Sequence, residues 1–104
     1  MSYVVVIRIQ IEGVPELFQE VIVQYRSKCL RNETGMEYFL VCGVPNDEQG
    51  FLIVEVFADE EAHRKDAEGK ELEDLLKTME ERELKMAAII LAGEELSSKS
   101  LLLN

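Results

Sequence analysis

The stretch FLIVEVFADEEAHRKD, residues 51–66, joins an apolar run to a polar segment with helical character. Its first seven residues are apolar except for Glu55, which predicts a strand over 51–57 that is buried on both faces. Asp59 stands where a helix N-cap is expected, because its carboxylate can accept a hydrogen bond from the first turn. The stretch therefore predicts a strand followed at once by a helix, with one carboxylate inside the strand.

The helix after Asp59 is predicted to consist of two pieces. Gly69 separates them, since glycine is a poor helix former. In the second piece the apolar side chains recur at steps of three and four residues, which predicts one core-facing stripe. The members of this stripe are Leu72, Leu75, Leu76 and Met79.

Upstream, residues 3–11, YVVVIRIQI, predict a first strand with one face more buried than the other. Pro15 suits the first turn of a helix, where its missing N–H is not needed, and this helix is expected to end between Arg31 and Gly35. Its core-facing side chains follow helical spacing. They are Leu17, Phe18, Val21, Ile22, Tyr25 and Cys29.

Two further strands complete the predicted sheet. Residues 36–44, MEYFLVCGV, predict the second strand, and the turn formers of 45–50, PNDEQG, join it to the third in an antiparallel hairpin. Residues 83–91, ELKMAAIIL, predict the fourth strand, closed by Gly93. The order β-α-β-β-α-β predicts an α+β, ferredoxin-like fold with a four-stranded antiparallel sheet and the helices on one face.

We expect one domain over residues 1–104, with a core of about 3–92. The first three strands are apolar on both sides, so the helix-free face of the sheet would expose several hundred Å² of apolar surface. Two sheets packed face to face would remove it, which predicts a homodimer through the sheet faces. The tail, 93–104, has three leucines at 101–103 and is expected to dock on the partner subunit.

The composition argues against several classes of partner. A net charge of −10 would repel phosphate backbones, so we expect no nucleic acid. No apolar run approaches the length of a membrane span, and the N-terminus does not resemble a signal peptide, so we expect a cytoplasmic protein. Cys29 and Cys42 are expected to be reduced. No cluster of potential ligands has metal-site spacing, so we expect no metal.

Four segments together resemble a known family. They are VVVIRIQIEG over 4–13, Gly35 before an apolar strand, the Pro45-Asn46-Asp47 turn, and EVFADEEA over 55–62. They are similar to the antibiotic biosynthesis monooxygenase (ABM) domain of the dimeric α/β-barrel superfamily. The resemblance implies a dimeric α/β barrel and a cofactor-independent monooxygenase that uses O₂ on a small aromatic, quinol or polyphenolic compound. The alternative is a non-catalytic dimeric barrel with a role in ligand sensing or protein association.

The same superfamily includes haem-degrading proteins, which the sequence does not resemble at the decisive positions. Those proteins use a Trp on the second helix and a His ligand further along the chain. The corresponding positions here are Asp66 and Leu76, and the chain has no Trp. We therefore expect no haem, and no other cofactor.

Glu55 is the first candidate catalytic residue. Burial disfavours a charged carboxylate and raises its pKa, which is how a general base that works near neutral pH is made. A cofactor-free oxygenation needs a base, because the deprotonated substrate is the form that gives an electron to O₂. The alternative is structural, with Glu55 accepting hydrogen bonds from a partner such as Arg8 and so fixing the sheet register or the dimer contact.

The remaining candidates are one histidine and three aromatic residues. His63 is the only imidazole and could take up a proton near neutral pH; its charged neighbours favour the alternative of a solvated helix residue. Relatives often carry a histidine three positions later, where this chain has Asp66. Tyr25, Tyr38 and Phe57 are expected to line a cavity for an aromatic ligand between helices and sheet, or else to be plain core.

Overall fold

In a computed structural model, which describes residues 1–32 and 35–97, the chain folds into a four-stranded antiparallel sheet with helices on one face. The sheet order is β2-β3-β1-β4. The predicted α+β, ferredoxin-like fold is confirmed. The elements are β1 (Tyr3–Glu12), α1 (Pro15–Asn32), β2 (Met36–Val44), β3 (Asp47–Phe57), α2 (Glu60–Ala67), α3 (Lys70–Glu81) and β4 (Lys85–Glu94).

Helix α1 contributes much of the core from the stripe that the sequence predicted. Leu17 packs partly buried against the core. The other five predicted side chains are buried, because the three- and four-residue steps place them on the side that faces the sheet. These are Phe18, Val21, Ile22, Tyr25 and Cys29.

The division of the second helical segment is confirmed. The Asp59 carboxylate accepts a hydrogen bond from the backbone N–H of Ala62 at 2.8 Å, and Gly69 is the N-cap residue of α3. Leu75 and Met79 are buried. Leu76, by contrast, is 49% exposed, so the apolar stripe of α3 is narrower than predicted.

The predicted bounds of two strands, β3 and β4, are wrong. The turn between β2 and β3 is shorter than residues 45–50, because Asn46 adopts a left-handed φ of 63° and pairing resumes between Val44 and Asp47. Strand β4 runs from Lys85 to Glu94, and Gly93 lies inside it because it still pairs with Val4 of β1. Local residue preferences do not show where pairing to a neighbouring strand stops.

The two faces of the sheet differ in what covers them. Side chains alternate between faces along a strand, so Val5, Phe39 and Glu55, which lie directly opposite one another, share the helix-covered face. On the other face several apolar side chains of the two edge strands are more than half exposed, as the sequence predicted. The most exposed are Tyr38, Leu40, Ile89 and Leu91.

Strand β4 is exposed along its whole length in the single chain, on both faces. Beyond it, the backbone N–H of Glu95 donates to the carbonyl of Ser2 at 2.8 Å. The rest of the predicted docking tail, 98–104, lies outside the described residues. Among the helices that the structure describes, none is long and apolar enough to cross a membrane.

Candidate functional site

A cavity of about 170 Å³ lies between the helices and the sheet. All seven elements contribute to its wall, which is mostly aliphatic. The side chains with ionisable groups that line it are Tyr25 of α1, Glu55 of β3, and His63 and Asp66 of α2. At the β4 edge the wall includes Ile90, which is 60% exposed, so the cavity is open to solvent on that side.

Glu55 reaches the cavity from the middle of β3 and is 4% exposed, which confirms its predicted burial. Among the described residues none donates a hydrogen bond to its carboxylate. Burial in an apolar wall, reinforced by the nearby charge of Asp66, raises the pKa of Glu55 from 4.5 to about 7. A carboxyl group with this pKa can accept and release a proton near neutral pH.

Arg8 does not contact Glu55, so the alternative in which Arg8 satisfies this carboxylate is wrong. Arg8 lies opposite Leu52 on the helix-free face, and its Nη2 binds Asp47 Oδ2 at 3.1 Å. Glu55 lies opposite Val5 on the other face. The alternation of side chains along β1 therefore separates the two groups by the thickness of the sheet.

His63 is half-buried, so its interpretation as a solvated helix residue is wrong. Its ring lies 5.3 Å from the ring of Tyr3 and 5.2 Å from that of Phe57, measured between centroids. These contacts fix the imidazole at the wall of the cavity, which it also lines. The structure thus brings His63 and Glu55 to one cavity.

Of the three aromatic candidates, only Tyr25 lines the cavity. It is 7% exposed, and burial, followed by the charge of Asp66, raises the pKa of its hydroxyl above the usual range. Tyr38 is 64% exposed on the opposite face of the sheet, because its neighbour Phe39 takes the helix-facing position. Phe57 is buried outside the cavity wall and packs against His63. The predictions for Tyr38 and Phe57 as lining residues are wrong.

Asp66 is the residue of this site that the sequence interpretation missed. It is 7% exposed, it lines the cavity, and its Oδ1 is buried without a hydrogen-bond partner among the described residues. Its charge raises the pKa of both Glu55 and Tyr25. One signal was available, since Asp66 follows His63 by three residues and so shares a helix face with it.

Gly35 fixes the position of α2 relative to the start of β2. Its φ is 93°, and a side-chain carbon placed there would lie 2.8 Å from the Cβ of Ala62. Its carbonyl accepts a hydrogen bond from the backbone N–H of Ala58 at 2.6 Å. Glycine therefore allows α2 to approach closely enough to place His63 and Asp66 at the cavity.

Within the described part of the chain, no group of three or more His, Cys, Asp and Glu side chains is arranged to hold a metal ion. No protein-family model and no curated protein matches the chain.

Several solved structures match the whole fold at low sequence identity. SnoaB from Streptomyces nogalater, a cofactor-independent oxygenase, matches with a TM-score of 0.74 at 13% identity, over 90% of this chain and 94% of that chain. A Deinococcus radiodurans protein assigned to the antibiotic biosynthesis monooxygenases matches with a TM-score of 0.79 at 14% identity, over 92% and 94%. One from Nitrosomonas europaea gives 0.78 at 16%, over 91% and 99%.

These matches extend over almost the full length of both chains, so they concern the entire arrangement of helices and strands. They agree in fold with the family that the sequence segments resemble. The chain has the fold of the antibiotic biosynthesis monooxygenases.

Proposed function

We propose that this protein is a cofactor-free monooxygenase that oxidises a small aromatic compound with O₂ in the cavity between helices and sheet. In such a reaction one oxygen atom enters the substrate and the other leaves as water. The substrate supplies all four electrons, as when a phenol becomes a quinone. The protein must bind the ring, exclude water and remove a proton.

Glu55 is the residue that supports this proposal most directly. It is a buried carboxyl in an apolar cavity, and its pKa of about 7 allows it to act as a general base at neutral pH. The proton moves from substrate to Glu55, so the total charge of the cavity does not change as the substrate anion forms. The fold shared with SnoaB, a cofactor-independent oxygenase, is consistent with this chemistry.

The alternative, a non-catalytic barrel that senses a ligand or associates with another protein, would need no buried base. A space between helices and sheet filled entirely by apolar side chains would have favoured it. The cavity argues against a barrel that only associates with another protein, and the buried carboxyl group of Glu55 in its wall favours the oxygenase over a ligand sensor.

Oxygen consumption with a model quinol tests this proposal. We expect steady uptake by the wild-type chain and a loss of about a hundredfold or more in Glu55→Gln, which cannot accept the proton. Glu48→Gln is the matched control, because it removes an exposed carboxylate from the same strand. Equal rates in wild type and Glu55→Gln would remove Glu55 from the mechanism, and no uptake beyond the buffer rate across a panel of phenols and quinols would favour the binding role.

A further inference from the structure

The cavity contains two buried carboxyl groups without a matching cation. Glu55 and Asp66 both line it, and the described residues of its wall include no Lys or Arg. Among the described residues of the wall, His63 is the one basic side chain, and its ring contacts those of Tyr3 and Phe57. The other ionisable group in the wall is the phenol of Tyr25 on α1, while β1, β2, α3 and β4 contribute apolar side chains alone.

Both carboxyl groups also lack hydrogen-bond donors. Asp66 Oδ1 is buried without a partner, and no described residue donates to Glu55. Asp66 Oδ1 is a buried acceptor that has lost its water without gaining a donor, which is destabilising, and native structures retain few such groups. A ligand that carries a positive charge and N–H donors would satisfy both the charge and the acceptors.

The volume of the cavity limits the apolar part of such a ligand. Drug-sized ligands occupy pockets of about 300 Å³ or more, whereas a cavity of about 150 Å³ lined by aliphatic and aromatic side chains accepts a single benzene ring. At about 170 Å³ this cavity accommodates one ring with a short substituent. Fused polycyclic compounds exceed this volume and would extend past Ile90 into solvent.

We propose that the ligand of this cavity is a monocationic amine built on a single ring, with its ammonium group bound by Asp66. This amine would be the substrate class of the oxygenation proposed above. The amine proposal rests on that function only where it makes the ring the part of the ligand that reacts. The fixed ammonium would also stabilise the anion that forms when a ring hydroxyl gives its proton to Glu55. Two carboxyl groups with no Lys or Arg beside them offer the anion of a neutral phenol no such stabilisation.

Binding of 2-phenylethylamine and of its neutral analogue 2-phenylethanol tests the proposal without turnover. Amide chemical shifts of the ¹⁵N-labelled full chain report both binding and the integrity of the fold. We expect the amine to bind about tenfold or more tightly than the alcohol at about pH 8. Asp66→Asn, which preserves the shape of the side chain, is expected to remove most of this preference.

Glu60→Gln is the matched control, because it removes one negative charge from the same helix outside the cavity. It is expected to leave the preference for the amine within about twofold of wild type.

Glu55 makes the affinity for the amine depend on pH. Amine affinity should rise from about pH 6 to pH 8 as Glu55 loses its proton, and Glu55→Gln should bind the amine with little pH dependence.

Equal affinities for amine and alcohol would overturn the proposal. An equal loss of the preference for the amine in Asp66→Asn and Glu60→Gln would also overturn it, because the preference would then reflect only the net charge of the chain. No shift with either compound at millimolar concentration would overturn it as well. Oxygen uptake with tyramine, which adds a ring hydroxyl to the amine, separates the two proposals: selective amine binding without uptake supports this inference and contradicts the oxygenase.

Discussion

Glu55 couples the stability of the fold to pH. Its carboxyl group binds a proton more tightly in the folded chain than in the unfolded chain, because burial and Asp66 disfavour the charged form. This contribution is fully present below a pH of about 4.5 and is lost as the pH rises through about 7. The free energy of unfolding should therefore fall by about 3 kcal/mol over this window.

Urea denaturation at a series of pH values checks this prediction. Glu55→Gln cannot titrate, so its stability should change less over the same window and should exceed that of wild type at pH 8. Glu48→Gln, with its carboxylate removed from the exposed start of β3, should keep the wild-type slope. An unchanged slope in Glu55→Gln would show that another group titrates in this range.

At the scale of single residues, the sequence was informative where one side chain stood out from its neighbours. The burial of Glu55 followed from its place between Val54 and Val56 in an apolar strand. Arg8 was wrongly considered as the hydrogen-bond partner of Glu55 because the strand register was unknown, and a shift of one residue moves a side chain to the other face. Asp66 was read only as a departure from a family pattern, and its burial depends on how α2 packs.

Among the elements, α2 owes its position to a close contact with Gly35. Replacing Gly35 by alanine would place a Cβ 2.8 Å from that of Ala62 and hold a side chain at a φ of 93°. We expect Gly35→Ala to lower the free energy of unfolding by about 3 kcal/mol, through backbone strain and displacement of α2. The urea midpoint, at an unchanged m-value, measures this loss.

Gly43→Ala is the control for this prediction. Its φ lies outside the left-handed region, and no atom lies within 4 Å of the added carbon, so we expect a change of no more than about 1 kcal/mol. The amide signals of His63 and Asp66 should move in Gly35→Ala and stay in place in Gly43→Ala. Equal stability of the two variants would mean that α2 yields to the extra carbon without loss.

The elements themselves were largely predictable because their signals are local. The apolar spacing of α1, the Asp59 cap and Gly69 each act within a few residues. Strand ends were not predictable, since Asp47 and Gly93 belong to strands only through backbone pairing, with Val44 and Val4, that local residue preferences do not reveal. The location of the cavity, between helices and sheet, was predicted. Whether Tyr38 or Phe39 lines it could not be predicted, because that depends on which face of β2 is covered by the helices.

On the scale of the whole molecule, the helix-free face of the sheet leaves apolar side chains of both edge strands uncovered in the single chain. It remains our prediction that two chains pack through this face. Sedimentation velocity at micromolar concentration should give twice the mass of one chain. The double variant Leu40→Lys with Ile89→Lys adds charge at both edges of the face and should sediment as a single chain.

Leu76→Lys with Val23→Lys is the matched control for the dimer. These two side chains are 49% and 43% exposed on the helices, so the variant adds the same charge away from the helix-free face. It should keep the wild-type mass. Dissociation of the control, or a dimer that survives lysines at positions 40 and 89, would place the contact elsewhere.

Strand β4 has a consequence for handling the protein, since it is an edge strand with open backbone donors and acceptors. Its eight central residues, MAAIILAG, carry no charge and no proline, which is the composition of segments that stack into fibrils. Only Lys85 and Glu94, one at each end, act as gatekeepers against such stacking. Misassembly during refolding is therefore expected to begin here, before the strand has found its place beside β1.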